Sequence, residues 1–325
     1  MAEYTKTEAM DWARENIRGQ WTTLMTPFTA DDEVDEAGLR KNIRHIKSLG
    51  TRGGGCTWAM GEFWTLTHRE KLAIYEVVKD EAGDQWPVAA HVSHTSQKEM
   101  LDLAFHAEKI GFDLLVVGAP YFVTNKEHQV VDWVSSLAEK TSLGIMYYNS
   151  PQFGLVMSVQ GLQEICNIPN VVGVKEASFN PELSIEAHLN IGKTSIISTP
   201  DEWIFHKGKE LGFEQQVMFA NTSDWRFDTP DNNHYVQFIE KVMSGNLDMN
   251  LYESHIEPIK AISDKWWKYT VQKMGGALPV SMCKFWGELM GMSGGHVRKP
   301  LEDLTDVEKE DLRKDIQEVT NLVAN

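Results

Sequence analysis

The chain has 325 residues, of which 42% are hydrophobic and 24% are charged, and this composition is typical of a globular protein with a sizeable core. Its formal net charge of −16, from 47 acidic and 31 basic residues, opposes binding to nucleic acids and to anionic membrane surfaces. No apolar run has the length of a signal-peptide core or of a membrane span, so we expect a cytoplasmic protein with no nucleic-acid or membrane partner.

Short β-like runs alternate with helix-like stretches along most of the chain, which is typical of parallel strands joined by crossover helices. A helix-like stretch carries apolar residues at Leu39, Ile43 and Ile46, and Gly50 follows it as a C-terminal cap. Eight strand–helix units in sequence favour a closed α/β barrel, the (β/α)8 TIM barrel. The predicted strands lie at residues 20–26, 53–58, 88–91, 114–118, 144–148, 171–175, 195–198 and 216–220.

The region after the eighth predicted strand is also helical, and it is longer than the closing helix of a barrel requires. The sequence predicts an N-terminal extension helix in residues 1–18, the barrel in 19–230 and a C-terminal helical region in 231–325. No Gly-, Ser- or Pro-rich linker separates this last region, so we expect it to pack on the barrel. Its predicted helices lie at residues 235–244, 251–274, 282–290 and 306–323.

Two polar residues end apolar strands, and the reacting groups of such barrels sit at the C-terminal ends of strands. Lys175 closes the run VVGVK, and partial burial at the barrel mouth would lower the pKa of its amine and free it to attack a ketone. Tyr148 lies in YYNSP, where its phenol would face the same cavity. Taken alone, a lysine in such a position is more often a solvated rim residue and a tyrosine is more often a packing residue.

Five motifs stand in an order that resembles the dihydrodipicolinate synthase and N-acetylneuraminate lyase superfamily of class I pyruvate aldolases. The resemblance runs from about residue 19 to residue 301. No single motif would carry it, but five in order form a specific pattern. The motifs are WTTLMTPF (21–28), MGEFWTLTHRE (60–70), YYNSP (147–151), VVGVKEAS (171–178) and LMGMSGGHVRKPL (289–301).

The resemblance implies that Lys175 forms an imine with pyruvate or another 2-oxo acid, and that the imine acts as an electron sink. It implies that Tyr148 moves protons during the reaction. The pyruvate carboxylate is expected against backbone N–H groups of Ala59, Met60 and Gly61, because amides that converge in a turn favour an anion. Class I chemistry uses no metal and no cofactor, and the family habit is a homotetramer.

The chain departs from the synthase branch of this superfamily at four positions. That branch has threonines where this chain has Ala59 and Met60, an aromatic hydroxyl at the position of Phe122, and an arginine at the position of Phe153. The arginine would bind a second carboxylate, and the hydroxyls would relay protons or hold a polyhydroxy chain. Lysine biosynthesis and sugar-acid cleavage are therefore disfavoured.

Bulky apolar side chains replace those polar groups, and as a set they predict an aromatic reaction partner. This profile resembles the hydratase-aldolases that convert benzylidenepyruvate-type substrates to an aromatic aldehyde and pyruvate. Candidates for activating the water of the hydration step are Glu62, Asn149 and Ser150. The predicted aromatic wall comprises Met60, Phe63, Trp64, Phe122 and Phe153.

Three alternatives stay open. A 2-keto-3-deoxy sugar-acid aldolase or dehydratase would share Lys175 and Tyr148 but requires polar groups that the motifs do not supply. A non-catalytic sensor of 2-oxo acids belongs to a different class, and retention of both residues disfavours it. His91 and His94 at the third strand end lack the carboxylate cluster that would favour a metal site.

Overall fold

The computed structural model describes residues 3–214 and 217–323, and it confirms a (β/α)8 barrel of eight parallel strands. The hydrogen-bonded order is β7-β6-β5-β4-β3-β2-β1-β8, so strands β1 to β7 each pair with their neighbours in sequence and β1 also pairs with β8. The strands are β1 Gly19–Thr23, β2 Gly53–Cys56, β3 Val88–His91, β4 Leu114–Val117, β5 Gly144–Asn149, β6 Val171–Glu176, β7 Ile196–Ser198 and β8 Val217–Asn221.

A side chain bridges the seam between β7 and β8. The Ser198 hydroxyl donates to the carbonyl oxygen of Val217 at 2.8 Å and accepts from the backbone N–H of Phe219 at 2.8 Å. Ser198 is fully buried, so the bridge satisfies backbone groups that have no access to water. The barrel is thereby closed where the short β7 makes no regular ladder with β8.

Helices alternate with the strands and continue after β8. Short 3₁₀ turns occur at Lys6–Glu8, Ala59–Gly61 and Pro151–Phe153, and a π-helical turn occupies Tyr252–Ile256. The helices are α1 Ala9–Asn16, α2 Glu36–Ser48, α3 His68–Ala82, α4 Gln97–Ile110, α5 Glu127–Ala138, α6 Val159–Cys166, α7 Pro181–Ile191, α8 Glu202–Leu211, α9 Ser223–Phe227, α10 His234–Met243, α11 Met249–Leu251, α12 Glu257–Lys273, α13 Val280–Leu289 and α14 Asp306–Val323.

The predicted elements differ from the observed ones mainly at their ends. The second strand stops at Cys56, before the predicted end at residue 58, because Thr57 adopts a left-handed backbone with φ 62° that a strand does not accommodate. The predicted helix 251–274 is interrupted by the π-helical turn. The predicted strand 216–220 corresponds to β8, and its first residue, Gln216, lies outside the described residues.

Glycines in β2 make room for two tryptophans that shape the barrel. A Cβ atom on Gly55 would lie 1.6 Å from the Trp58 ring, and one on Gly54 would lie 2.4 Å from the Trp86 ring. The indole N–H of Trp58 donates to the Thr23 hydroxyl at 2.7 Å, so the ring is fixed in orientation. The GGGC run is therefore a strand in which tryptophan rings from the neighbouring loops fill the space that side chains would otherwise occupy.

The C-terminal helices pack directly on the barrel. Eight consecutive residues of α13, from Val280 to Gly287, are buried, and the indole N–H of Trp286 donates to the carbonyl oxygen of Arg226 at 2.6 Å. Helix α12 pairs with α14 through the Lys273–Glu308 ion pair at 2.7 Å. In the described part of the chain, none of the helices has the length and apolar character that crossing a lipid bilayer requires.

Candidate active site

A cavity of about 290 Å³ opens at the C-terminal ends of the strands. Thr23 from β1, Tyr148 from β5, Lys175 from β6 and Asn221 from β8 line it, and the loops and α12 complete its walls. Among the residues predicted from sequence, Ala59, Met60, Tyr148 and Lys175 line this cavity. Reacting groups in TIM barrels occupy this end of the fold, so the cavity is the candidate active site.

Lys175 is buried at the base of the cavity. Its Nζ atom lies 4.4 Å from the centroid of the Tyr148 ring, and the two residues are register partners in the β5–β6 pair. Burial lowers the pKa of Lys175 to about 7, while the charge of Glu176 acts in the opposite direction. A large fraction of the amine is therefore neutral near pH 7 and available as a nucleophile.

This lowered pKa predicts a pH dependence of imine formation. At low pyruvate concentration, we expect the second-order rate constant of imine formation to rise about tenfold from pH 6 to pH 8 and then to level off, because the neutral fraction of an amine of pKa 7 rises by that factor. Borohydride quenching at timed intervals measures the rate. A rate constant that rises about a hundredfold from pH 6 to pH 8, and keeps rising toward pH 10, would show that the amine has the ordinary pKa of a solvated lysine.

Tyr148 rests as a neutral phenol and is suited to donate a proton first. Burial raises the pKa of its hydroxyl above the ordinary value, and the hydroxyl of Ser150 offsets only part of this rise. The ring is held edge-on against Phe153, with centroids 5.2 Å apart. A protonated phenol in a fixed position beside Lys175 fits a general acid that returns to its neutral form in each cycle.

The turn after β2 supplies two of the three expected backbone donors. Ala59 and Glu62 have left-handed backbones with φ 32° and 54°, which is unusual for residues other than glycine. The N–H of Gly61 donates to the carbonyl oxygen of Trp58 at 2.5 Å, so this donor is already used within the turn. Within the described residues, the N–H groups of Ala59 and Met60 have no acceptor, and both residues line the cavity.

Glu62 does not face the cavity, and the expectation that it activates water is wrong. Its carboxylate forms an ion pair with Lys284 at 2.5 Å and accepts from the backbone N–H of Arg298 at 3.1 Å. Both side chains of the pair are almost fully buried. Burial raises the pKa of Glu62, and the charge of Lys284 opposes this rise. Glu62 therefore ties the turn after β2 to α13 and the C-terminal motif.

Replacing Glu62 by Gln is expected to lower the free energy of unfolding by about 3–5 kcal/mol, because it leaves the ammonium of Lys284 buried without a counter-charge. Urea titration followed by circular dichroism measures the change. The double variant Glu62→Leu with Lys284→Met removes both charges and should recover much of the loss. A single variant with unchanged stability would contradict the structural role assigned to this pair.

Asn149 and Ser150, the other candidates for water activation, also lie outside the cavity lining. Asn149 is fully buried and accepts from the backbone N–H of Met157 at 2.9 Å, while Ser150 caps the 3₁₀ turn that follows β5. Both side chains are used to shape the loop behind Tyr148. Neither of these two candidates therefore belongs to the cavity lining.

Four of the five members of the predicted aromatic wall lie outside the cavity lining. Phe63 and Phe153 are buried and stack on each other behind Tyr148, with centroids 5.8 Å apart. Trp64 and Phe122 lie at the surface, with Phe122 89% exposed. Met60 alone of this set lines the cavity. Different apolar side chains form the wall, and they are Phe179, Ile204, Phe227, Trp267 and Leu278.

The cavity also has a polar side that the motifs did not reveal. The polar residues on this side lie at or after the ends of β6, β7 and β8, and also in α12. Their signal in the sequence is the polar run that ends or follows an apolar strand, such as STPDE and NTSDWR. The family motifs mark the loops after β2 and β5 instead. The polar and charged residues on this side are Asn180, Ser184, Thr199, Asp201, Glu202, Asn221, Thr222, Ser223, Arg226, Lys260, Ser263 and Asp264.

His91 lies under the site as a packing residue. It is buried, its Nδ1 atom is 3.0 Å from the carbonyl oxygen of Thr57, and burial lowers its pKa to about 3. Its ring stands edge-on to Phe63 at 4.8 Å. Within residues 3–214 and 217–323, no group of three or more His, Cys, Asp or Glu side chains is placed to hold a metal ion.

The sequence model of the dihydrodipicolinate synthetase family matches residues 16–319 of this chain. The chain is 28% identical over 307 residues to 4-hydroxy-tetrahydrodipicolinate synthase of Chlorobaculum parvum, covering 93% of this chain and 97% of that relative. It is 32% identical over 163 residues to the protein of the same name from Methanothermobacter thermautotrophicus, covering 50% of this chain and 58% of that relative. The match to that second relative thus spans less than two thirds of its length.

Solved structures share the fold. YagE, a prophage protein of the dihydrodipicolinic acid synthase family from E. coli K12 in complex with pyruvate, superposes with a TM-score of 0.79 at 20% identity, covering 93% of this chain and 98% of that one. Proteus mirabilis N-acetylneuraminate lyase gives a TM-score of 0.78 at 22% identity, covering 94% and 99%. At these identities the likeness concerns the barrel alone.

Proposed function

Because the chain belongs to the dihydrodipicolinate synthetase family of pyruvate-dependent class I aldolases and lyases, we propose that it is a lyase that works through an imine between Lys175 and a 2-oxo acid. The observation that carries this proposal is a buried lysine of lowered pKa that faces a cavity of about 290 Å³ beside Tyr148. The free N–H groups of Ala59 and Met60 are placed in the same cavity to hold the carboxylate of pyruvate.

In the cleavage direction, the amine of Lys175 attacks the C2 carbonyl of the substrate, and loss of water gives a protonated imine. A base takes the proton of the C4 hydroxyl, the C3–C4 bond breaks, and its electron pair moves into the imine to form an enamine while the aldehyde leaves. Protonation of the enamine at C3 and addition of water at C2 release pyruvate and the free lysine. We assign both proton transfers to Tyr148: its neutral phenol donates a proton to the departing hydroxyl of the carbinolamine, and the phenolate left behind then takes the proton of the C4 hydroxyl.

For the second partner, we propose the aromatic aldehyde that is released when a benzylidenepyruvate-type 2-oxo-3-enoate is hydrated and cleaved. Phe227, Trp267 and Leu278 support this assignment because they present apolar surface on one wall of the cavity. Burial of a flat ring gains about 25 cal/mol per Å² of apolar area, and each well-placed ring pair adds about 0.5–1.5 kcal/mol. We assign activation of the water in the hydration step to Glu202, because its side chain is buried and lines the cavity.

A 2-keto-3-deoxy sugar-acid aldolase or dehydratase is the second candidate, and the polar side of the cavity favours it. Asn180, Ser184 and Thr199 present hydrogen-bonding groups to the cavity, as do Ser223 and Glu202. Such groups would form hydrogen bonds with the hydroxyls of a sugar chain. Without such partners, burial of each hydroxyl would cost about 1–3 kcal/mol of binding free energy. We also propose a cytoplasmic location, from the sequence pattern, and a homotetramer, from the resemblance to the family. Light scattering of the purified protein tests the tetramer.

A panel of aldehydes with pyruvate separates the two candidates. We expect benzaldehyde to exceed glyceraldehyde in kcat/KM by at least about a hundredfold, which is roughly 2.7 kcal/mol of discrimination. Trp267→Ala should raise KM for the aromatic aldehyde far more than KM for pyruvate. The matched control is Trp64→Ala, which removes a tryptophan outside the cavity lining. Equal or higher activity on glyceraldehyde would contradict the aromatic assignment and support the sugar-acid candidate.

A further inference from the structure

Arg226 places a buried positive charge in the wall of the cavity. It lies in α9, directly after β8, and its side chain lines the cavity while the residue is only 4% exposed. Its guanidinium carbon is 5.2 Å from the ring centroid of Phe227, 5.7 Å from that of Trp267 and 5.4 Å from that of Trp286. The rings hold the guanidinium in a fixed position, so its free N–H groups point in defined directions.

Most of the hydrogen-bonding capacity of Arg226 is unused. Its Nε–H donates to the Thr222 hydroxyl at 3.0 Å and one Nη1–H donates to the Ser263 hydroxyl at 2.5 Å. An arginine has five N–H donors, so two bonds leave three donors without a partner in the described part of the chain. No carboxylate among the described residues forms an ion pair with Arg226, although buried charges are almost always paired.

The carboxylates of the same cavity already have partners. Asp264 pairs with Lys260 at 2.6 Å. Asp201 caps α8 by accepting from the backbone N–H of Ile204 at 3.0 Å. Glu202 accepts from two hydroxyl groups, those of Ser223 at 2.6 Å and Tyr235 at 3.3 Å. Positive and negative side chains are equally numerous in the lining, so the case for an anion site depends on the free donors of the guanidinium.

Asp224, two residues before Arg226, does not neutralise it. The two side chains form no ion pair, and burial raises the pKa of Asp224 to about 7, so its carboxyl group is partly neutral. A guanidinium stays charged at every accessible pH. The positive charge of Arg226 therefore remains available to a ligand that enters the cavity.

We propose that Arg226 binds a carboxylate carried by the second reaction partner, so that this lyase prefers an aldehyde with an anionic substituent. The inference rests on the proposed function and specifies its substrate class. A carboxylate satisfies two parallel N–H donors of one guanidinium, and the neighbouring Phe227 and Trp267 suit a flat carboxylated ring. Phe153, in the turn after β5, stands at the position where the synthase branch has its arginine, whereas Arg226 lies in α9 after β8, so the carboxylate would be recognised from a different strand end.

Two matched pairs of aldehydes test the proposal with pyruvate as the donor. They are 2-carboxybenzaldehyde against benzaldehyde, and succinic semialdehyde against butanal. The first pair places the carboxylate on a ring and the second on an aliphatic chain, so together they identify the scaffold that carries the anion. We expect the wild type to prefer the carboxylated member of at least one pair, and Arg226→Gln to lower that preference by about 30-fold or more.

Arg226→Lys keeps the charge without the planar fork, so it should retain part of the preference. The control is Arg44→Gln, which removes an exposed guanidinium paired with Glu81 away from the cavity, and it should leave the preference unchanged. Circular dichroism verifies that each variant is folded. An unchanged preference in a folded Arg226→Gln variant would overturn the proposal. A loss of the pyruvate imine in that variant would also overturn it, because Arg226 would then hold the carboxylate of pyruvate.

Binding of phthalate, measured by calorimetry, provides a readout that needs no turnover. We expect the dissociation constant of phthalate to rise about 30-fold in Arg226→Gln. If the wild type forms no borohydride-trapped adduct with pyruvate, the proposed lyase function fails, while phthalate binding still decides the role of Arg226. Phthalate that binds the wild type and Arg226→Gln equally well, or binds neither, would overturn the anion site itself.

Discussion

Lys175→Met is expected to lower turnover by about four orders of magnitude or more, because removal of the covalent nucleophile of an enzyme abolishes most of its chemistry. Methionine has nearly the same length and volume as lysine without the amine. The Lys175 side chain is buried, and burial lowers its pKa because the charged form is poorly solvated there. The charge therefore adds little to the free energy of unfolding. We therefore expect the melting temperature of the variant to stay the same or to rise. Steady-state kinetics and thermal unfolding measure the two effects separately.

Lys71 provides a matched control for this change. It is also a buried lysine, 4% exposed, and burial lowers its pKa to about 8, but it does not line the cavity. Lys71→Met should retain turnover within about tenfold of the wild type, since the effect of a distant substitution reaches the chemistry only through packing. If both variants lost activity equally, the loss would reflect a general requirement for buried positive charge, and Lys175 would not be the nucleophile.

Tyr148→Phe is expected to lower turnover by about two to four orders of magnitude, the usual contribution of a positioned proton donor. The ring remains, so its contacts with Phe153 and with the amine of Lys175 are kept. The variant should therefore still form much of the imine with pyruvate, more slowly because the carbinolamine has lost its proton donor, and most of the loss in turnover should appear at the C4 oxygen. Steady-state rates and borohydride trapping on the same preparation measure the two steps.

Tyr147→Phe is the matched control for the hydroxyl. Tyr147 precedes Tyr148 on β5, is fully buried, and has a hydroxyl with no hydrogen-bond partner in the described structure. Removing an unpaired buried hydroxyl is close to neutral or stabilising. Activity should stay near that of the wild type. A fall of less than tenfold in Tyr148→Phe would mean that another group or a water molecule moves the proton.

The barrel was predictable from the sequence because its signal repeats. Each strand is a short apolar run that precedes an amphipathic helix, and β3 was predicted with its observed bounds, Val88–His91. Strand ends were less certain, since a local backbone conformation such as the left-handed Thr57 decides where a strand stops. The π-helical turn Tyr252–Ile256 has no distinct pattern of hydrophobic residues, so a single longer helix was expected there.

The positions of Lys175 and Tyr148 were also predictable, because neighbouring strands bring their C-terminal ends together. The walls of the cavity were not. Phe63 and Trp64 are adjacent in sequence, yet one is packed inside and the other lies at the surface. Trp267 and Leu278 come from α12 and the turn after it, which no strand motif marks. A motif therefore identifies residues near the mouth, whereas three-dimensional packing decides which of them a substrate would touch.

Glu62 illustrates the same limit for charged residues. Its place in the motif GEFWTLT suggested chemistry, but its partner Lys284 is more than two hundred positions away in the sequence. Such long-range pairing leaves no local signal. Arg226 is the opposite case, since it lies in no motif used to recognise the family and still presents free donors to the cavity.

Mass spectrometry after borohydride reduction with pyruvate tests the central claim most directly, because only an imine is trapped as a stable secondary amine. The account predicts one reduced pyruvate unit per chain, located on the peptide that contains Lys175, and no adduct in Lys175→Met. An unmodified mass in an enzyme that remains active on a 2-oxo acid substrate, or an adduct on a different lysine, would contradict it.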